Sequence, residues 1–114
     1  MSSQAIRLMA EEVRELGFAA ILGAGVYSGV GTAIDHPARM IVIQNLTDAD
    51  VMFSFNGVTD HLPLRQYTSL VLDITGNKTT TSGFYLAEGQ RLYVTQIGVP
   101  TVGSVYLTVF YGRD

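Results

Sequence analysis

Residues 38–57 read Ala38-Arg39-Met40-Ile41-Val42-Ile43-Gln44-Asn45-Leu46-Thr47-Asp48-Ala49-Asp50-Val51-Met52-Phe53-Ser54-Phe55-Asn56-Gly57. The run Met40–Ile43 is apolar and rich in branched side chains, as in a strand buried on both faces. Asn45–Asp50 carries short polar side chains that bond back to the backbone and form turns. Val51, Phe53 and Phe55 then alternate with Met52 and Ser54, which gives a period-two strand with one apolar face. Asn56-Gly57 is a hairpin signal. The stretch predicts a hairpin of two strands around the 45–50 turn, and its grammar repeats through the rest of the chain.

Working outward, Phe18–Leu22 and Val26–Ile34 read as strands around Gly23-Ala24-Gly25, and Pro37 breaks the second from the hairpin. Val58–Leu64 is a strand bent by Pro63. Ser69–Thr75 places Leu70, Leu72 and Ile74 on one face. Gly76–Gly83 is polar and loop-like, Phe84–Leu86 is short, and Arg91–Ile97 and Ser104–Tyr111 are strands. Eight or nine short strands at intervals of roughly ten residues, separated by turn signals, are the mark of an all-β sandwich or barrel. The expected fold is a jelly-roll-like sandwich of two sheets, with about eight antiparallel strands. The expected core includes Phe53, Phe55, Leu70, Leu72, Leu107 and Val109.

Residues 2–16 read differently. Ser2 or Ser3 can cap a helix, Ile6, Met9, Val13 and Leu16 fall at helical spacing, and Gly17 can stop it. The densest charge of the chain lies here. The expected organisation is an N-terminal arm or short helix over 1–16 and a β-sandwich domain over 17–114. The apolar stripe of the arm is the first candidate partner-binding surface. The second is the last strand, where Tyr106 and Phe110 lie opposite Val105, Leu107 and Val109. From Leu92 to Gly112 there is no charge, so this strand is either central in its sheet or covered by a partner.

Composition narrows the function classes. The 114 residues make one core. Only 15% are charged and the net charge is −3. The seven basic residues are scattered, so no cluster for nucleic acid is present. There is no Cys, hence no disulfide and no thiolate site. No signal peptide is legible at the N-terminus. The uncharged stretch 17–34 is broken by glycines and reads as strands, not as a membrane span.

Candidate chemistry is sparse. Gly23-Ala24-Gly25-Val26-Tyr27-Ser28 is half of a dinucleotide fingerprint without its third glycine or a following helix. Asp35-His36 and Asp60-His61 pair a histidine with a carboxylate, but adjacent residues of a strand point to opposite faces, and no nucleophile completes a constellation. Asp48, Asp50 and Asn45 lack the oxygen count of a calcium loop. Nothing brings Asp73 and Glu88 together as a glycosidase pair. Thr79–Thr81 reads as a loop tip. No catalytic residue, metal site or cofactor is expected.

The order of short blocks resembles small structural proteins of tailed-bacteriophage virions. The blocks are the glycine-rich 17–32, His36-Pro37-Ala38-Arg39, Ile43–Val51, Phe53–His61, Leu72–Lys78 and Gly103–Gly112. They cover most of the chain beyond the first dozen residues. The resemblance implies a non-enzymatic β-sandwich subunit of the virion, assembled in the bacterial host cytoplasm. Its expected role is a capsid decoration or cement protein binding the major capsid protein and copies of itself, with neither nucleic acid nor membrane as partner. A neck or tail connector, or a fibre-attachment protein, is the second expectation. A carbohydrate-binding module is the third.

Overall fold

The computed structural model describes residues 7–23, 25–73 and 89–113. Among these residues nine strands are present: β1 (Arg7–Ala10), β2 (Arg14–Gly17), β3 (Ser28–Gly29), β4 (Met40–Asn45), β5 (Val51–Ser54), β6 (Leu62–Leu64), β7 (Thr68–Asp73), β8 (Tyr93–Gln96) and β9 (Ser104–Arg113). A single 3-10 turn covers Phe18–Ala20. One sheet runs β1-β9-β4-β7, with β2 also against β9, and the other runs β3-β8-β5-β6. Every pairing is antiparallel.

β1 and β2 are one edge strand with a bulge. Ala10 pairs with Phe110 and Arg14 with Leu107, so three residues (11–13) face two (108 and 109). The Glu11 amide still reaches the Val109 carbonyl at 2.9 Å. An extra residue of this kind bends the strand and re-aims side chains. With the pair counted as one, the chain is a long antiparallel ribbon folded at its middle. β5 pairs β6, β4 pairs β7, β3 pairs β8, and β1 with β2 pairs β9. Rolling that ribbon into two sheets gives the jelly roll, as the sequence predicts.

The fold of the ribbon lies at Asn56-Gly57, where Gly57 has φ +76°. Glycine has no Cβ to clash in that left-handed region. The expected hairpin between Met40–Ile43 and Val51–Phe55 does not form. β4 and β5 belong to different sheets, and 46–50 arches from one to the other. The reason is burial. Ile41 and Ile43 of β4, and Val51 and Phe53 of β5, are all fully buried, and they meet face to face across the sandwich instead of side by side.

Further departures follow the same logic. Phe18–Leu22 is not a strand, because Ile21 bends back to bond the Phe18 carbonyl. Val26–Ile34 keeps only the two residues of β3, and Val58–Leu64 only Leu62–Leu64. Phe84–Leu86 lies outside the described residues. The helix expected over 2–16 is replaced, in its described part, by β1 and β2, and β2 runs across the boundary expected at residue 16. Met9 and Leu16 do repeat at helical spacing. The uncovered side of β9 offers a complete ladder, however, and tertiary pairing overrides a weak local preference. β9 is therefore central, between β1/β2 and β4.

The core comprises Phe53, Ile41, Ile43, Val51, Val94, Leu92, Val105, Leu107 and Val109, closed at the sides by Ile21, Val30, Ile34 and Phe55. Leu72 packs against it but is only half-buried, as is Leu70, because β7 is an edge.

Candidate interaction surface

The residues with the most chemistry gather at the bulge. Its bend turns the Glu11 carboxylate inward, leaving that side chain 5% exposed. It accepts from His36 Nδ1 at 2.7 Å and the Asp35 amide at 3.2 Å, and pairs with the Arg14 guanidinium at 2.8 Å. Arg14 is also buried and donates to the Thr32 and Ala33 carbonyls, both at 2.9 Å. The His36 ring stacks flat on Tyr111 at 3.6 Å. Burial by itself would raise the Glu11 carboxyl. The His36 hydrogen bond, the Asp35 amide and the Arg14 charge together outweigh it and hold the group below the usual carboxylate range.

This cluster pins the edge strand to the 31–36 connection. A shallow cleft of about 280 Å³ beside it is lined by Glu12, Val13, Glu15, Thr32 and Asp35, with Arg14 in its wall. The Arg14 donors already serve protein acceptors. Among the described residues, no group of three or more His, Asp or Glu side chains is placed to hold a metal ion.

The other candidates are also turn locks. The Phe55 amide donates to His61 Nδ1 at 3.0 Å, which closes the 55–61 hairpin. Asp48 accepts from the Thr101 amide at 2.7 Å and from the Thr101 hydroxyl, and these bonds hold its carboxyl below the usual range. Asp50 Oδ1 accepts from the Gln66 amide. Asn45 is fully buried, and its amide reaches the carbonyls of Ala49, Leu64 and Arg65 at 2.9–3.1 Å while Oδ1 accepts from Thr47. Asp73 ends β7 at the surface. Glu88 and Thr79–Thr81 lie outside the described residues.

The most distinctive surface is apolar. Four connections meet at one end of the sandwich: 18–27, 46–50, 65–67 and 97–103. Hydrogen bonds tie them together. Gln96 reaches the Ile21 and Leu22 carbonyls, the Ile97 and Gly98 amides reach the Asp50 carbonyl, and Gln66 reaches the Asp50 carboxylate. This end exposes Leu22, Val26, Leu46, Tyr67, Ile97, Val99 and Val102, with Val99 74% exposed. Connections 18–27 and 97–103 contain no charge at all. Asp48 and Asp50 turn their carboxylates onto neighbouring loops, which leaves Arg65 at the margin. Loops are ordinarily polar and carry binding function. A loop end with seven exposed large apolar side chains and few charges, on a chain of this size, marks a contact surface.

The residues singled out from sequence scatter over other surfaces. Ile6 lies outside the described residues. Met9 pairs Tyr111 and is half-buried. Leu16 packs against the core. Val13 is exposed in the bulge. The helical stripe that would join them does not exist, because a strand sends alternate side chains to opposite faces. Tyr106 and Phe110 sit half-buried on the outer face of the larger sheet, opposite Gln44 and Met40.

Two features escaped the sequence reading. The Glu11–His36 pair joins residues 25 apart and has no local signature. The loop end did leave one, in Ile97-Gly98-Val99-Pro100-Thr101-Val102-Gly103, a turn-rich run without the polarity that turns usually carry. No helix among the described residues is long and apolar enough to cross a membrane. Comparison with protein-family models, curated proteins and solved structures found no match.

Proposed function

We propose that this chain is a non-enzymatic structural subunit of a bacteriophage virion, a decoration subunit that seats its loop end on the capsid surface. The carrying observation is the cluster of seven exposed large apolar side chains on four mutually bonded, nearly uncharged connections. Such a surface excludes water against a protein partner and offers a single cationic group, Arg65, where phosphate binding needs a cluster. The jelly roll supplies a rigid base for those loops, although a fold does not assign a function. The choice of a virion rests on the resemblance of the block order to small virion proteins.

The test is composition and docking. Quantitative mass spectrometry of purified virions should find hundreds of copies per particle, and the double variant Val99→Asp/Val102→Asp should fold but fail to load. A copy number of six or twelve moves the subunit to the neck or tail. Absence from particles, or normal loading of the double variant, overturns the proposal.

A further inference from the structure

The turn that folds the ribbon carries an asparagine followed by a glycine, a chemically labile pair. The backbone nitrogen after an asparagine can attack its side-chain carbonyl carbon, and a glycine leaves that nitrogen unshielded by a Cβ. The fold nevertheless demands glycine here. Gly57 has φ +76°, and a Cβ on it would lie 3.3 Å from the Tyr93 ring. Position 56 is equally constrained. Asn56 Oδ1 accepts from the Val58 amide at 2.8 Å, the Thr59 amide at 2.9 Å and the Ser54 hydroxyl at 3.0 Å. Two backbone donors aimed at one atom identify it as the oxygen, since the side-chain nitrogen accepts nothing. Ser54 is fully buried, and its Oγ in turn accepts from the Gly57 amide at 2.9 Å and the Asn56 amide at 3.3 Å.

We propose that Asn56 is a latent self-modification site and that the Ser54 hydroxyl holds its reaction back in the folded chain. In the reaction the Gly57 nitrogen forms a bond to Asn56 Cγ, and the bond from Cγ to Nδ2 breaks. The Gly57 nitrogen loses its proton, and Nδ2 gains one and leaves as ammonia. The resulting succinimide ring takes up one water and opens to an aspartate, or to an isoaspartate that lengthens the main chain by a methylene. No oxidant or other co-reactant enters. The amide nitrogen is planar, so the new bond takes the direction of the old N–H. In the folded turn that direction is aimed at Ser54 Oγ. The carboxamide is pinned as well, because turning Cγ towards the nitrogen breaks its bonds from Val58 and Thr59. Ring closure needs the reacting atoms in contact and aligned, and here both are bonded elsewhere. Asn56, Val58 and Thr59 are exposed, so water reaches the site whenever the turn opens. Each opening is then a chance for a permanent chemical mark.

The test uses the full chain alone, incubated at mildly alkaline pH, with peptide mass spectrometry reading the conversion of Asn56 to aspartate and isoaspartate. The urea-unfolded chain should convert at least about tenfold faster than the folded one, because unfolding frees both reacting groups. Folded Ser54→Ala, which loses the hydroxyl, should also convert at least about tenfold faster than folded wild type. Val109→Ala is the control. It opens a cavity in the other sheet, where Val109 is fully buried, and leaves Ser54 in place. It should convert at the wild-type rate. Hydrogen exchange in the wild type gives a reading that does not depend on the folding of Ser54→Ala. The Gly57 amide should exchange at least about tenfold more slowly than an open chain allows. Folded wild type converting as fast as the unfolded chain overturns the proposal. So does a folded Ser54→Ala that converts no faster than wild type or Val109→Ala, or a Gly57 amide that exchanges at the open-chain rate.

Discussion

At the scale of single residues, Asn45 and Glu11 are polar side chains drawn inward and held by several partners each. Asn45 is a buried amide that holds three carbonyls, of Ala49 in the 46–50 arch and of Leu64 and Arg65 at the end of β6, and accepts from Thr47. Leucine has nearly the same volume but leaves those groups unpaired. Each buried polar group stranded in this way costs about 1–3 kcal/mol. Asn45→Leu should therefore lose about 3 kcal/mol in urea denaturation, against almost no loss for Val71→Ala at an exposed site. Glu11 sets a pH dependence. Its carboxyl titrates lower in the folded chain than in the unfolded one. Its contribution is therefore complete above the unfolded value, near 4.5, and is lost as pH falls through the lower folded value. Asp48 acts with the same sign. Melting temperature should fall between pH 5 and 3 in the wild type, and Glu11→Gln should flatten part of that fall while lowering stability at neutral pH.

At the scale of elements, the edge strand is the decisive piece. Residues 7–17 pair along β9, pack Leu16 on the core and carry Arg14 into contact with the 32–33 backbone. The amphipathic stripe of the sequence suggests a detachable arm, whose loss would leave the domain intact. The ladder argues the reverse. Deleting residues 1–17 removes one neighbour of the central strand, strands the Thr32 and Ala33 carbonyls and uncovers Val105 and Leu107. The truncated chain should show no cooperative thermal transition, or one lowered by at least 10 °C, since about 1 kcal/mol already moves a domain of this size by several degrees. An unchanged transition would restore the arm. The 97–103 connection has a similar dependence on one position. Gly103 has φ +95°, and a Cβ there would lie 2.1 Å from the Leu46 carbonyl oxygen. Only glycine lets the connection cross so close to the 46–50 arch.

At the scale of the whole molecule, exposure is unevenly shared. The bulge side carries Glu11, Glu12, Arg14, Glu15, Asp35 and His36, whereas the loop end is nearly free of charge. Rigidity at that end comes from backbone hydrogen bonds and from Asp48 and Asp50, not from its apolar tips. Val99→Asp/Val102→Asp should therefore leave urea stability within about 0.5 kcal/mol of the wild type. A larger loss would mean that these side chains support the fold, and the loop end would cease to be a docking surface.

Alternation along the chain was enough to establish an all-β sandwich and to choose the buried faces of β5 and β9. Phe53, Leu107 and Val109 lie where the period of two puts them. Asn56-Gly57 was legible as a turn because its chemistry is local. The pairing partners were not legible in the same way. A strand pattern states which face is apolar but not which neighbour fills its ladder, so the 45–50 turn read as a hairpin when it is an arch between sheets. The first strand read as helix because Met9, Val13 and Leu16 fit the helical period, and Leu16 falls out of phase with the other two at a period of two; only the pairing along β9, with its bulge between Ala10 and Arg14, makes this stretch a strand. The Glu11–Arg14–His36 cluster and the apolar loop end arise from contacts between residues far apart in the chain. Local sequence determined the strands of the core and their apolar faces; the rolling of the ribbon made the first segment a strand, reduced Val26–Ile34 to two paired residues, and decided which residues became neighbours and which were left exposed.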